Sequence, residues 1–120
     1  MTTCDLKVTH SGMNVVRRYR TEDGREVITE WLDHLRDVRA KARIAARVDR
    51  LKAGNLGDCK PLRDGVSELR VDYGPGYRVY FGVVGLQVIL LLCGGDKRTQ
   101  EADIDKAVEY LADFKRRVQP

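Results

Sequence analysis

The stretch Val88–Cys93 reads VILLLC, and its six consecutive apolar residues constrain this chain more than any other feature. A run of this kind favours a β-strand that is covered on both faces, because a half-buried strand alternates apolar and polar residues. It is far shorter than the ~20 residues that a membrane-spanning helix needs. We therefore predict a central strand with other elements packed on both sides, and no membrane or secretion signal is visible.

Two stretches before this run have the alternation of half-buried strands. Their apolar positions are Leu69, Val71 and Tyr73 in the first, and Tyr77, Val79, Phe81 and Val83 in the second. A three-residue loop at 74–76 would place Asp72 opposite Arg78. It would also place Arg70 opposite Tyr80, so that all four side chains share one face of the sheet, opposite to the apolar set.

Two helices are predicted before these strands. Asp23 and Glu26 form a capping-box-like pair that predicts the first start, and Asp37 predicts the second. Gly54 or Asn55 suits the left-handed position that ends the second helix. The link between the helices is short, so we expect a helical hairpin, with Trp31 in the core and His34 at the surface.

The predicted order is β-α-α-β-β-β-α, which is an α+β fold. The first strand is expected near Val15–Arg20, and Thr99 is the expected cap of the last helix. We expect the helical hairpin to pack on an antiparallel-rich twisted sheet. The length of 120 residues suits one core, so we predict a single domain over 13–120 and a flexible tail over 1–12, with Met13 as a candidate natural start.

The charge of the chain favours an anionic partner. Twenty-two lysines and arginines against eighteen aspartates and glutamates give a formal net charge of +4 and a pI of about 9.1. The segment from Arg36 to Lys52 holds seven of these cations and two acids, Asp37 and Asp49. Two interpretations remain open for it: a solvated helix face, or a surface that binds a polyanion.

The sequence gives no indication of a metal or a small-molecule cofactor. Cys4, Cys59 and Cys93 lie far apart, which matches neither a disulfide framework nor a zinc site, and a reducing cytoplasm is the simplest location. No nucleotide-binding glycine motif and no convincing Ser, His and Asp set is present. We therefore expect a cytoplasmic protein that works without a cofactor.

Cationic side chains gather around the predicted polar face of the sheet. The candidates for a site are Arg70, Arg78, Tyr80, Lys97 and Arg98. Arginine can hold a phosphate and stabilise its developing charge, and tyrosine can stack on a base, so this set suits RNA cleavage. The glycines of Gly94–Gly95 would let an RNA backbone come near. The alternative is an exposed strand face with weak cross-strand ion pairs.

Three ordered stretches resemble the HigB-like addiction-module killer group within the RelE/ParE toxin superfamily. They read RRYRTEDGREVITEWLDHLRD, KPLRDGVSELRVDYGPGYRVYF and LLLCGGDKRTQEADIDKA. The resemblance implies a compact RelE-like fold and the toxin of a type II toxin–antitoxin pair. It also implies a cognate antitoxin, expected to be a helix-turn-helix protein, that binds the toxin directly. RelE-like toxins cleave messenger RNA in the ribosomal A site with clustered basic residues and the 2′-hydroxyl of the RNA as nucleophile.

The resemblance implies roles for Arg70, Arg78 and Lys97, with Arg98 beside Lys97, whereas Tyr80, Lys60 and Arg63 are expectations from the residues themselves. The expected catalytic residues are Arg70 of ELR, Arg78 and Tyr80 of GYRVYF, and Lys97 of GGDKRTQ. The expected further RNA contacts are Arg98, Lys60 and Arg63. Several RelE-like toxins have a tyrosine or histidine for acid-base chemistry where this chain reads Thr99-Gln100-Glu101. The proton-transfer role therefore stays open among Lys97, Tyr80, Glu68 and Asp72, or needs no dedicated base.

Three functions remain open at this point. The first is a metal-independent endoribonuclease that cuts translated messenger RNA at the ribosome. The second is a ParE-like inhibitor that binds DNA gyrase without cutting RNA, and the third is a nontoxic RNA-binding relic. The motifs GGDKRTQ and GYRVYF resemble the killer group more closely, which favours RNA cleavage.

Overall fold

A five-stranded sheet lies between two layers of helices in the computed structural model, which describes residues 13–118. The predicted tail, 1–12, lies outside the described residues. The strands are β1 (Val15–Arg18), β2 (Cys59–Pro61), β3 (Val66–Val71), β4 (Tyr77–Gly85) and β5 (Val88–Asp96), in the spatial order β1-β5-β4-β3-β2. β1 is parallel to β5, and the other pairs are antiparallel. The α+β class predicted from the sequence is confirmed.

Three helices cover the two faces of this sheet. They are α1 (Val27–His34), α2 (Val38–Lys52) and α3 (Gln100–Val118), and a 3-10 turn, Lys97–Thr99, leads from β5 into α3. α1 and α2 share one apolar cluster with the sheet, and α3 shares the other. Within residues 13–118, no helix is long and apolar enough to cross a bilayer.

β5 is buried on both sides, as its apolar run predicts. Ile89 and Leu91 belong to the cluster under α1 and α2, whereas Leu90 and Leu92 belong to the cluster under α3. All four side chains are at most 2% exposed. Burial of apolar surface stabilises a fold by about 25 cal/mol per Å². Because β5 buries side chains on both of its faces, both apolar clusters are built on this strand.

The predicted helix starts are half right. Asp37 caps α2, since its carboxylate accepts hydrogen bonds from the backbone amides of Arg39 and Ala40. Asp23 does not cap α1, which begins at Val27. It accepts a hydrogen bond from the Thr21 hydroxyl instead and belongs to a turn before the helix. The capping-box prediction fails because this local turn satisfies the Asp23 carboxylate first.

The strand predictions need two corrections. β2 was not predicted, because three residues are too few for a period of two to be visible. The connection between β3 and β4 has five residues, 72–76, so Arg70 lies opposite Arg78 and Glu68 lies opposite Tyr80. The predicted pairing is therefore wrong by two residues. A shift of two preserves the faces, so the predicted common face of Arg70, Arg78 and Tyr80 is correct. Asp72 does not share it, because it follows the end of β3 and lies against α2.

Tyr19 attaches the C-terminal half of α3 to the end of β1. Its hydroxyl donates a hydrogen bond of 2.6 Å to Asp113 Oδ2, and its ring stacks on Tyr110 at 4.9 Å. The Arg117 guanidinium lies over the same ring at 5.6 Å. Burial, followed by the hydrogen bond to the Asp113 carboxylate, raises the pKa of Tyr19 to about 12.

This pKa predicts a pH dependence of stability at the alkaline end. The folded pKa of Tyr19 lies above its ordinary value of 10, so the stability gained from its proton is complete below pH 10 and is lost as pH rises towards 12. Thermal unfolding across this range should therefore show a smaller loss in Tyr19→Phe than in the wild type. Equal losses in both proteins would contradict the assignment.

Candidate functional site

A buried carboxylate organises the polar face of the sheet. Glu68 on β3 has no solvent exposure and accepts ion pairs from two arginines. Arg70 Nε lies 2.9 Å from Glu68 Oε2, and Arg78 Nε lies 3.3 Å from Glu68 Oε1. Gln100, the first residue of α3, donates from Nε2 to Glu68 Oε1 at 2.9 Å. One carboxylate thus joins β3, β4 and α3.

Arg70 and Arg78 occupy directly opposed positions on neighbouring strands. Like charges at such positions repel each other, and the Glu68 carboxylate between them compensates for this. The Arg70 side chain is 36% exposed and the Arg78 side chain 13% exposed. Glu68 therefore fixes the position of both guanidinium groups, and each side chain keeps some contact with solvent.

Lys97 lies beside Gly76, the last residue of the β3–β4 connection, and Gly76 also contacts Arg78. A side-chain carbon placed on Gly76 would lie 3.4 Å from Arg78 Nη1 and 3.8 Å from Lys97 Cβ. Arg78 Nη1 also donates a hydrogen bond of 3.2 Å to the Gly76 carbonyl. Lys97 is exposed and makes no ion pair with any residue in the described part of the chain. Two arginines are therefore paired with one carboxylate, and Lys97 lies near Arg78 at the same end of the sheet.

The other predicted RNA contacts are placed differently. Lys60 on β2 lies opposite Glu68, so it borders the same face and is exposed. Arg63 is ion-paired with Asp64 and with Asp105 of α3. These two residues flank the site from the β2 side of the sheet.

Arg98 is turned away from the two strand arginines. Its Nη2 lies 2.9 Å from Asp96 Oδ2, and its backbone amide also donates to that carboxylate. Asp96 lies opposite Tyr77 of β4, a residue of the cluster under α1 and α2. Arg98 thus lies beside the opposite face of the sheet from Arg70 and Arg78.

Two of the candidates for proton transfer are not at the surface of the site. Tyr80 has no solvent exposure, and its hydroxyl has no hydrogen-bond partner among residues 13–118. Burial, and then the nearby Glu68 carboxylate, raise the pKa of Tyr80, so the hydroxyl is protonated at neutral pH. Asp72 follows the end of β3 and lies against α2 beside Arg43 and Arg47. Tyr80 therefore forms the floor of the site, and Asp72 lies outside it.

Gly94 and Gly95, near the end of β5, allow helices to pack closely on this strand. This corrects the expectation that they admit an RNA backbone. A side-chain carbon on Gly94 would overlap the Trp31 ring of α1. One on Gly95 would overlap the carboxylate of Asp103 in α3. Each glycine lets a helix approach β5 closely on one face. The space above both is already filled by the protein itself.

Sequence reasoning missed the organising part of the site. Glu68 was considered only as a proton acceptor, and Gln100 only as a replacement for an expected tyrosine or histidine. The signal for Glu68 was present, since residues two apart on a strand share a face and Glu68 therefore had to lie beside Arg70. No sequence signal placed Gln100 against it, because that contact joins residues 32 positions apart.

Residues 13–118 offer few side chains that could act as a nucleophile or bind a metal. Burial raises the pKa of the Cys93 thiol to about 12, and the thiol donates to the Asp103 carbonyl at 3.6 Å. It is therefore protonated at neutral pH and unsuited to nucleophilic attack. Over residues 13–118 there is no group of three or more His, Cys, Asp or Glu side chains that could hold a metal ion.

The fold and this face define a small α+β protein with a cationic surface organised by one buried carboxylate. The chain belongs to the family of phage-derived Gp49-like proteins (DUF891), whose model matches residues 30–113. This family is part of the RelE/HigB-like toxin superfamily. An uncharacterized protein of Haemophilus influenzae is 53% identical over 77 residues, which is 64% of this chain and 78% of that relative. The match confirms the superfamily, and membership of the HigB-like group remains a prediction.

Removal of the Glu68 charge should destabilise the fold. Glu68→Gln keeps the shape of the side chain but leaves Arg70 and Arg78 facing each other without compensation. We expect a loss of about 2 kcal/mol in the free energy of unfolding, less than for a fully buried pair because Arg70 is partly solvated. Urea unfolding measures it. Glu109→Gln, an exposed site on α3, should change stability by less than ~0.5 kcal/mol, and equal effects would contradict the role of Glu68.

The packing role of Gly94 can be tested in the same way. Gly94→Ala forces a methyl group into the Trp31 ring and should cost about 1–3 kcal/mol of unfolding free energy. Gly85→Ala is the matched control, because its new carbon would lie 3.6 Å from the nearest atom, Val88 Cγ2. An unfolding midpoint for Gly94→Ala equal to that of the control would show that α1 does not pack tightly on β5.

Proposed function

We propose that this protein is the toxin of a type II toxin–antitoxin system and acts as a metal-independent endoribonuclease on messenger RNA at the ribosome. The observation that carries the proposal is the pair of Arg70 and Arg78 held by one buried carboxylate, with the exposed Lys97 near Gly76 at the same end of the sheet. Membership of a family within the RelE/HigB-like toxin superfamily supports the same function.

The proposed reaction uses the 2′-hydroxyl of the substrate as nucleophile. The 2′ oxygen loses its proton to water and forms a bond to the adjacent phosphorus, and the bond from phosphorus to the 5′ oxygen breaks. The products carry a 2′,3′-cyclic phosphate and a 5′-hydroxyl. Extra negative charge develops on the phosphorane in between, and Arg70 and Arg78 stabilise it because their guanidinium groups are already fixed by Glu68.

Proton transfer falls to the exposed cation of the set. Lys97 lies near Gly76, which borders Arg78, and it has no ion pair with any of residues 13–118, so its ammonium group is available to protonate the leaving 5′ oxygen. Glu68 is unsuited as a base, since its carboxylate is buried and engaged by two arginines and Gln100. Tyr80 supports these groups from below. Lys60 and Arg63 contact the flanking RNA, and Arg98 does so from the far side of β5.

The partners follow from the same proposal. A cognate antitoxin, expected to be a helix-turn-helix protein, would cover the cationic site with an acidic or amphipathic segment, because complementary charge speeds association and fixes the docked orientation. The protein would then act in the cytoplasm, where ribosomes translate.

Arg78→Ala tests the function. Loss of this guanidinium should slow RNA cleavage by about 100-fold or more, the usual cost of one oxyanion donor. Growth inhibition on expression should disappear with it. The measurement is the mapping of new RNA ends that carry a 5′-hydroxyl in a translating extract, with circular dichroism to verify the fold.

Arg116→Ala is the matched control, since it removes one exposed arginine near the far end of α3. It should cleave and inhibit as the wild type does. A folded Arg78→Ala protein with full activity would contradict the site. A wild-type protein that stops growth and creates no new RNA ends would favour a ParE-like inhibitor of DNA gyrase instead.

A further inference from the structure

α2 carries a stripe of arginines along one side. Arg39, Arg43, Arg47 and Arg50 recur at spacings of four, four and three, so their side chains lie one above another on the helix. Arg39, Arg43 and Arg50 are exposed, and Arg47 is half-buried. From Arg39 to Arg50 the stripe covers about 16 Å of helix, at 1.5 Å per residue.

The cations of this segment differ from most others in the described part of the chain. Arg20, Arg25, Arg63, Arg98, Arg116 and Arg117 all form ion pairs with carboxylates. In residues 13–118, no lysine or arginine between Arg36 and Lys52 does so. Like charges four residues apart destabilise a helix, so the stripe costs stability in the free protein. A bound anion would remove that cost.

Arg47 places this stripe beside the candidate site. Its guanidinium group donates to the backbone carbonyls of Arg70, Leu56 and Asp58. α2 is thereby attached to the end of β3 at the residue that contributes the first arginine of the site. A ligand on α2 therefore lies near the backbone of Arg70, and the Arg70 side chain points to the other face of the sheet.

The β3–β4 connection, 72–76, joins the two cationic regions. At one end, the Arg43 guanidinium lies 4.7 Å from the centroid of the Tyr73 ring. At the other end, Gly76 borders Arg78 and Lys97. A cavity of about 250 Å³ opens between α2 and the end of β3, lined by Arg43, Ala46, Arg47, Arg50, Val71 and Asp72. Its acidic residue is Asp72, against three arginines.

We propose that the exposed arginines of α2 and Tyr73 form a second RNA-binding surface that meets the candidate active site around the end of the sheet, at the connection 72–76, and takes the phosphodiester backbone of the substrate. The inference rests on the proposed function for the identity of the ligand. Arg39, Arg43 and Arg50 contact phosphates, and the Tyr73 ring gives an unpaired base a plane to stack on. The Tyr73 ring beside the stripe favours RNA over an acidic peptide, which has no base to stack.

The test is the salt dependence of binding to a short 2′-O-methyl RNA oligonucleotide, which has no free 2′-hydroxyl and cannot be cleaved. A triple variant carries Arg39→Gln, Arg43→Gln and Arg50→Gln. Loss of three phosphate contacts should lower the slope of log K against log salt by about 2, at about 0.7 per contact for a single strand. Its thermal midpoint should not fall below that of the wild type, because like-charge repulsion is removed.

The matched control carries Lys106→Gln, Lys115→Gln and Arg116→Gln, which removes the same charge from exposed positions of α3. Its slope should stay close to that of the wild type. Equal slopes in the two triple variants would overturn the proposal, since net charge alone would explain them. Unchanged RNA binding with weaker binding of poly-L-glutamate would also overturn it and assign the stripe to an acidic protein partner.

The binding measurement is independent of catalysis. If wild-type protein cuts no RNA and the α2 variant still binds the oligonucleotide less well than its control does, the nuclease proposal fails and the second surface stands. If cleavage depends on Arg78 while the α2 variant binds and cleaves normally, the reverse holds.

Discussion

The burial of β5 on both faces is the constraint on which the rest of the structure depends. Its apolar side chains need cover on two sides, so α1 and α2 must pack on one face and α3 on the other. Near its end the strand has two glycines, and helices approach it closely there on both faces. Trp31 contacts Gly94, and Asp103 contacts Gly95. Because that approach is tight, the start of α3 has a fixed position, and Lys97 and Gln100 are fixed with it.

A second constraint is the buried carboxylate of Glu68, which lies under the start of α3. Glu68 is charged and without solvent contact, which is costly unless opposite charges and hydrogen-bond donors surround it. Arg70, Arg78 and Gln100 supply them. The consequence for function is preorganisation, since two guanidinium groups that would repel each other are held side by side before any ligand arrives. An anion that binds there does not have to pay for ordering them.

The positive charge of the protein is therefore divided into two populations. Most cations outside α2 that the structure describes are neutralised locally, as Arg63 is by Asp105 and Arg117 by Asp113. The cations of α2 are not, and the connection 72–76 links them to the site at Arg78. A modest net charge of +4 thus conceals two concentrations of positive charge that meet at one end of the sheet. Their field steers a polyanion towards the site rather than to the surface in general.

The sequence by itself determined the α+β class, the central position of β5, the cap of α2 and the face on which Arg70 and Arg78 lie, because these follow from local periodicity and from a strand period of two. It did not determine the pairing register across 72–76, the existence of β2, the role of Gly94 and Gly95, or the contact of Gln100 with Glu68. Each of these joins residues distant in the chain or depends on how a loop closes. Only tertiary packing decides such contacts, because several partners compete for the same polar groups and burial determines which partner is selected.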